Sequence, residues 1–192
     1  MPRRNAFSKG STFHIYNRGA NRAPIFFSQE NYLYCLRLIK KYAITYQITL
    51  IAYCLMPNHY HFLLRQDGDI PISKFINVLF NAYVQAINWQ RSRSGTLFEG
   101  RFKHKLVDRD EYLIHLCRYI HANPVKAGLV TRLEDWPYSN YPEWIGERPG
   151  KLVDHDFVDA YFPERQNYTE FVLDYLRNVE SLPKDIQQYL FD

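Results

Sequence analysis

Two apolar, β-rich runs, residues 47–56 and 59–64, are separated only by Pro57-Asn58. A two-residue connection cannot carry a parallel crossover, so two strands joined this way must form an antiparallel hairpin. Ile48, Leu50, Ile51, Ala52 and Tyr53 read as a buried strand. The segments on either side must complete a sheet around that hairpin. Thr12-Phe13-His14-Ile15-Tyr16 is a short β-rich run that ends in the polar, cationic turn Asn17-Arg18-Gly19-Ala20-Asn21-Arg22. Ser28 is predicted to cap a helix carrying Leu33, Leu36, Ile39 and Tyr42 or Ala43. A long helix is predicted over 72–89, with Ile72, Phe75, Ile76, Leu79, Tyr83 and Ile87 as its apolar stripe. Its opposite side carries the amides Asn77, Asn81, Gln85 and Asn88.

Residues 90–101 form a basic connector, and 102–107 alternate as a further strand. Asp108 and Asp110 are placed to cap a helix over 111–122, which Pro124 limits. Short helices are expected over 156–161 and 168–180. The order strand, helix, strand, strand, helix, strand, helix predicts an α+β, ferredoxin-like (RRM-like) βαββαβ antiparallel sheet. Two helices would cover one face, and the other would be left free for chemistry. A further helix follows the sheet, then a C-terminal helical extension.

Length and composition bound the class. With 192 residues, 46% of them apolar, the chain has enough material for a folded core. No run of 18 apolar residues is present, so no membrane partner is expected. The basic start is followed by no apolar leader core, and no secretory leader is expected. Cys35, Cys54 and Cys117 are widely spaced with no CxxC pair, which points to a reducing cytoplasm rather than a disulfide framework or zinc cage. The net charge of +4 conceals a division: residues 1–133 carry 19 basic and 7 acidic side chains, residues 134–192 carry 5 and 13. The division suggests a basic domain over 1–133 and an acidic, mostly helical extension over 134–192. The basic part favours a polyanionic partner such as nucleic acid. Aromatic residues make up 17% of the chain; most are core, and some are suited to base stacking.

Two local patterns carry chemistry. In a strand, His59 and His61 project to the same face, as two ligands of one cation would. On the helix that includes Tyr112, His115 and Tyr119, Tyr119 and Asn123 lie at i and i+4 on one face. An amide oxygen there would complete a metal site, and the phenol would reach what the metal holds.

These segments resemble the single-tyrosine HUH transposases. The stretch from Tyr53 through Pro57-Asn58-His59-Tyr60-His61 to Leu64 resembles their metal-binding hairpin. The stretch from Arg118-Tyr119-Ile120-His121-Ala122-Asn123-Pro124 to Val130 resembles the tyrosine helix of their REP-associated branch. Phe13-His14-Ile15-Tyr16-Asn17-Arg18-Gly19 and Asp135-Trp136-Pro137-Tyr138-Ser139 fit the same branch, and the resemblance spans about residues 11 to 141. It implies cleavage and rejoining of single-stranded DNA at hairpin-forming repeats, through a covalent 5′-phosphotyrosine. Tyr119 is then the nucleophile. His59, His61 and Asn123 are the ligands of a divalent ion, magnesium or manganese; the wider group has the longer glutamine where Asn123 stands. No nucleotide cofactor is expected, and a monomer is favoured over a dimer. Tyr112 is the rival nucleophile, and His115 is read as a packing residue.

Arg18, Arg22, Arg91, Arg93, Arg101, Lys103 and Lys105 are the candidate DNA-binding cations, since phosphate contacts give salt-sensitive affinity. The amide face of the long helix is a further candidate for base contacts. Two other readings fit the residues: a non-catalytic single-stranded nucleic-acid-binding domain, and a metal-dependent nuclease using water. The acidic extension either docks over the basic surface or simply caps the fold.

Overall fold

The computed structural model describes residues 7–178. The strands are β1 (Thr12–Arg18), β2 (Ile48–Met56), β3 (His59–Gln66) and β4 (Lys103–Val107). The first three helices are α1 (Gln29–Tyr46), α2 (Ile72–Gln90) and α3 (Asp110–Lys126), and α4 (Tyr141–Trp144), α5 (His155–Tyr161) and α6 (Arg165–Arg177) follow. The sheet order is β2-β3-β1-β4, and every neighbouring pair is antiparallel. This is the expected βαββαβ arrangement.

Strand alternation divides the molecule into two cores. Phe13 and Ile15 of β1, Tyr60, Phe62 and Leu64 of β3, and Tyr53 and Leu55 of β2 belong to the core under α1 and α2. Leu63, Cys54 and Met56 belong to a second core with α3 and the C-terminal helices. A register shift between Leu50 and Ala52 lets consecutive Ile51 and Ala52 both join that second core. All six predicted stripe residues of α2 are buried.

Several sequence expectations change. The second sheet face is not free, because α3 lies across it against β2 and β3. On α1 the buried residues are Asn31, Tyr32, Cys35, Leu38, Ile39 and Ala43, while Leu33 is exposed. Ser28 stands at the N-cap of α1 without a side-chain capping bond. Arg109, not Asp108 or Asp110, holds the N-cap position of α3, and Asp110 and Glu111 fall in its first turn. There they favour the positive end of the helix dipole. Pro124 does not stop α3, which runs on to Lys126. Its missing N–H costs a single bond so close to the end. The helix then closes as Gly128 N–H donates to the Val125 carbonyl and Leu129 N–H to the Pro124 carbonyl. Gly128 takes φ +67°, a conformation that favours glycine.

Beyond α3 the chain returns to the outer edge of β2. Leu55 N–H donates to the Tyr138 carbonyl at 2.9 Å, and Asn140 N–H to the Tyr53 carbonyl at 3.3 Å. Asn140 is buried, and its side-chain oxygen accepts from Tyr53 N–H at 2.7 Å. That oxygen also meets His121 Nε2 at 2.8 Å, and His121 Nδ1 meets the Tyr168 hydroxyl at 2.5 Å. An amide oxygen only accepts, so Nε2 carries the His121 proton and Nδ1 accepts from Tyr168. This network locks α3, β2 and α6 together. The two expected short helices form as α5 and α6, and the predicted end at residue 180 lies outside the described residues. All three cysteines are buried and unbridged. Among the described residues no helix is long and apolar enough to cross a membrane.

Candidate active site

The face of the sheet beneath α3 gathers the candidate residues at one end. His59 opens β3 directly after the Pro57-Asn58 turn, and its Nδ1 lies 2.7 Å from Asn58 Oδ1. Since that oxygen accepts, Nδ1 is the donor. Two residues on, His61 is fully buried, and its Nδ1 lies 3.1 Å from Nε2 of His14. The His59 and His61 rings stand 5.1 Å apart between centroids at 86°. Imidazole nitrogens about 2 Å from a shared ion require rings about this close. In each ring Nδ1 has a second partner, so Nε2 is the nitrogen that would hold a cation.

Electrostatics favours the same chemistry. Burial lowers the pKa of His59 to about 4, with Arg18 adding to the effect and a hydrogen bond with Asn123 opposing it. Burial also pushes His61 well below its ordinary value, helped by His14 and His59. Both rings are therefore neutral near pH 7, the form that offers a lone pair to a metal. Asn123 lies one turn after Tyr119 and touches His59, while its Nδ2 donates to the Tyr119 carbonyl at 2.8 Å. No three His, Cys, Asp or Glu side chains converge on a common point among the described residues. His59, His61 and the Asn123 amide beside His59 are the side chains that could hold a divalent ion, and such a set leaves positions for substrate oxygens.

Tyr119 stands edge-on to His61 and His14. Its ring centroid is 5.4 Å from that of His61 at 83°, and 6.3 Å from that of His14 at 81°. The rival positions point elsewhere. Tyr112 sits at the start of α3, where Arg109 Nη1 donates to its hydroxyl at 2.6 Å and the guanidinium covers its ring. His115 packs on Phe171 of α6 at 5.4 Å between rings, consistent with a packing role.

Four residues near the site were not singled out from sequence. His14 and Tyr16 of β1 join the cluster, with the Tyr16 ring 6.1 Å from that of His61. Their signal is strand parity: Tyr16 pairs with His61, so alternation puts His14 on the same face. That signal needs the β1–β3 register, which the sequence does not display. Lys126 Nζ lies 5.8 Å from the Tyr119 ring centroid and donates to the Tyr175 hydroxyl of α6 at 2.8 Å. Lys126 is seven residues after Tyr119, two helical turns, and its spacing was a usable signal; Tyr175 had none.

The candidate cations divide. Lys105 pairs with His14 and Lys103 with Tyr16 across β1 and β4, so both share the histidine face. Burial lowers the Lys105 pKa. Arg18 pairs with His59 across β1 and β3, and its Nε donates to Glu99 at 2.5 Å. Arg22 is exposed on the turn after β1 at φ +58°, and Arg101 is exposed just before β4. Arg91 and Arg93 lie at the end of α2, away from the histidines. Arg91 covers the Phe27 ring at 4.1 Å, and Arg93 folds back to the Thr96 carbonyl at 3.0 Å.

Comparison with known proteins follows the same lines. Residues 8–123 match the family model described as "Transposase IS200 like". A curated protein of Haemophilus influenzae named "Putative REP-associated tyrosine transposase" is 28% identical over 130 residues, covering 58% of this chain and 74% of that protein. A solved structure of a REP-associated tyrosine transposase bound to a REP hairpin superposes with a TM-score of 0.65 at 20% identity. It covers 80% of this chain and 94% of its own, and the likeness is one of fold.

Proposed function

The chain belongs to the IS200-like transposase family, and we propose that it cleaves and rejoins single-stranded DNA beside a hairpin through a covalent bond to Tyr119. The observation that carries this reading is the edge-on approach of Tyr119 to His61 at 5.4 Å, with both residues supplied by one chain. The hairpin comes from the REP-bound structural neighbour and the REP-associated relative.

The Tyr119 hydroxyl oxygen attacks the scissile phosphorus and loses its proton. The bond from phosphorus to the 3′ oxygen breaks, and that oxygen leaves as a 3′-hydroxyl. The product is a 5′-phosphotyrosine, which preserves a phosphodiester for a later 3′-hydroxyl to attack. No ATP is required. His59, His61 and Asn123 would hold the divalent ion, magnesium or manganese, which when bound polarises the phosphate and offsets developing charge. The protein's own part is orientation. Asn123 is tied to the Tyr119 carbonyl and to His59, so the nucleophile and the ligands move as one unit. Arg18, Arg22, Arg91, Arg93, Arg101, Lys103 and Lys105 are proposed to hold phosphates along the strand, with Arg18 beside His59 and with Lys103 and Lys105 on the histidine face.

A denaturing gel with a hairpin oligonucleotide, with and without manganese, tests the reaction. The expected result is a protein–DNA adduct that Tyr119→Phe abolishes while DNA binding persists. Adduct formation by Tyr119→Phe that is lost in Tyr112→Phe would transfer the role to Tyr112. A free 5′-phosphate without adduct would make the chain a hydrolytic nuclease, and a shift without cleavage would make it a binding domain.

A further inference from the structure

A cavity lies on the other side of β4 from the histidines. It is an open groove of about 910 Å³ between α2, the 95–102 connector and β4. That is at the upper end of the roughly 300–1,000 Å³ typical of small-ligand clefts. We propose that this groove takes an unpaired nucleobase of the DNA strand, with Phe102 as the stacking platform and Asn77 and Asn81 contacting the base edge. The proposal rests on the DNA-cleaving reading above and adds a site to it.

Three observations carry it. First, the groove combines aromatic surface with amides and a cation: Phe80, Phe98 and Phe102 line it together with Asn77, Asn81 and Arg101. Among the described residues no acidic side chain lines it, so the charge suits a polyanion. Phe80 stacks on Tyr60 at 4.3 Å and meets Phe98 edge-on at 5.1 Å, which makes a rigid floor. Phe102 is only half-buried and presents surface to the groove.

Second, Asn77 and Asn81 are exposed at i and i+4 on α2, so their amides stand about one turn apart. Each amide offers a donor and an acceptor, the complement of a base edge that is unpaired and accessible. Duplex DNA hides those edges and faces within its stack. The opposite wall is held in place where Asn17 Nδ2 donates to the Gly100 carbonyl at 3.0 Å.

Third, β4 connects the groove to the reaction. Alternation sends Lys103 and Lys105 to the face of Tyr16 and His14, and sends Phe102 and His104 to the groove. A strand crossing this edge would meet cations on the catalytic side and aromatic rings on the other. β4 is the edge strand beside β1, so the groove and the histidine face border the same edge of the sheet.

The test uses the full chain in EDTA, so that cleavage does not intervene. The probe is a hairpin oligonucleotide with a single-stranded 5′ flank carrying 2-aminopurine at one flank position at a time. The unaltered chain should quench the probe strongly at one or two positions. Phe102→Ala should abolish that quenching and weaken binding about tenfold, the loss expected for one stacked base. Asn81→Asp, at an exposed helix position, should weaken binding comparably with an unchanged melting temperature. Equal quenching and affinity in both variants overturns the groove, while adduct formation on Tyr119 leaves the catalytic reading standing. A loss confined to Phe102→Ala and accompanied by a lower melting temperature also overturns it. Failure of the unaltered chain to bind the flanked hairpin overturns both readings.

Discussion

His14 is the residue whose replacement says most about the site. It is 0% exposed, and its Nε2 meets His61 Nδ1 at 3.1 Å. For His61 to bind a cation through Nε2, its proton must stay on Nδ1, where His14 accepts it. His14→Phe keeps a ring of similar size in the same space but removes the acceptor. In the metal-bound state the buried N–H is then unsatisfied, at about 1–3 kcal/mol. In the metal-free state the proton is able to shift to Nε2 and the penalty is reduced. The difference falls on metal affinity, and about 1.4–2.8 kcal/mol corresponds to a 10–100-fold loss. The assay is the initial rate of adduct formation against manganese concentration at fixed DNA. The midpoint should move up by about 10–100-fold, while the plateau at saturating manganese stays close to that of the unaltered chain. An unchanged midpoint with a lowered plateau would refute the argument, since His14 would then act on the reaction or the fold and not on ligand orientation.

Two other predictions concern acid and the contact with α6. His121 has a folded pKa lowered to about 4 by burial, against an ordinary value of 6.5. Its stabilising effect is fully present above pH 6.5 and is lost as pH falls toward 4, because the unfolded chain takes up the proton first. His121 alone should cost about 2 kcal/mol between pH 7 and pH 5, read as a lower urea midpoint; equal midpoints would remove the buried neutral imidazole from the account. Tyr175→Phe deletes the acceptor of Lys126, costing about 1 kcal/mol of stability. Because Lys126 also borders Tyr119, single-turnover adduct formation should slow severalfold at saturating DNA, and an unchanged rate would separate Lys126 from the reaction.

The hairpin was legible because Pro57-Asn58 allows no other connection, and the α2 stripe was legible because its period is regular. His59 and His61 share a face by strand parity alone. His14 was not legible, because its place depends on β1 pairing with β3, a contact across more than forty positions of sequence. The length of α3 was misjudged because Pro124 was read as a stop, whereas proline near a helix end removes one bond and leaves the rest. The exposed face expected on the sheet failed for a related reason: the same helix that carries Tyr119 must lie on the sheet to bring the phenol to the histidines. The groove beside α2 was half legible. Its amides were visible as a helix face, but the aromatic wall comes from a connector whose fold the sequence does not display.

The charge division near residue 133 looked like a domain boundary, yet the packing does not follow it. Trp136 and Tyr138 pack against the α1–α2 core, and Tyr32 stacks on Tyr138 at 3.8 Å. Trp144, Val172 and Tyr175 share the second core with Tyr119 and Ile120. Among the described residues, carboxylates of the acidic part pair within their own segment or with framework arginines: Glu143 with Arg148, Asp159 with Arg165, Asp154 with Arg65, Asp174 with Arg118 and Glu134 with Arg132. Glu99, which pairs with the candidate DNA cation Arg18, comes from the basic part itself. What the extension demonstrably does is mechanical. It encloses α3 through the His121–Asn140–Tyr168 network and holds Lys126 from Tyr175. Removing it would expose the core behind Tyr119, so a truncation would lower the stability of the tyrosine helix.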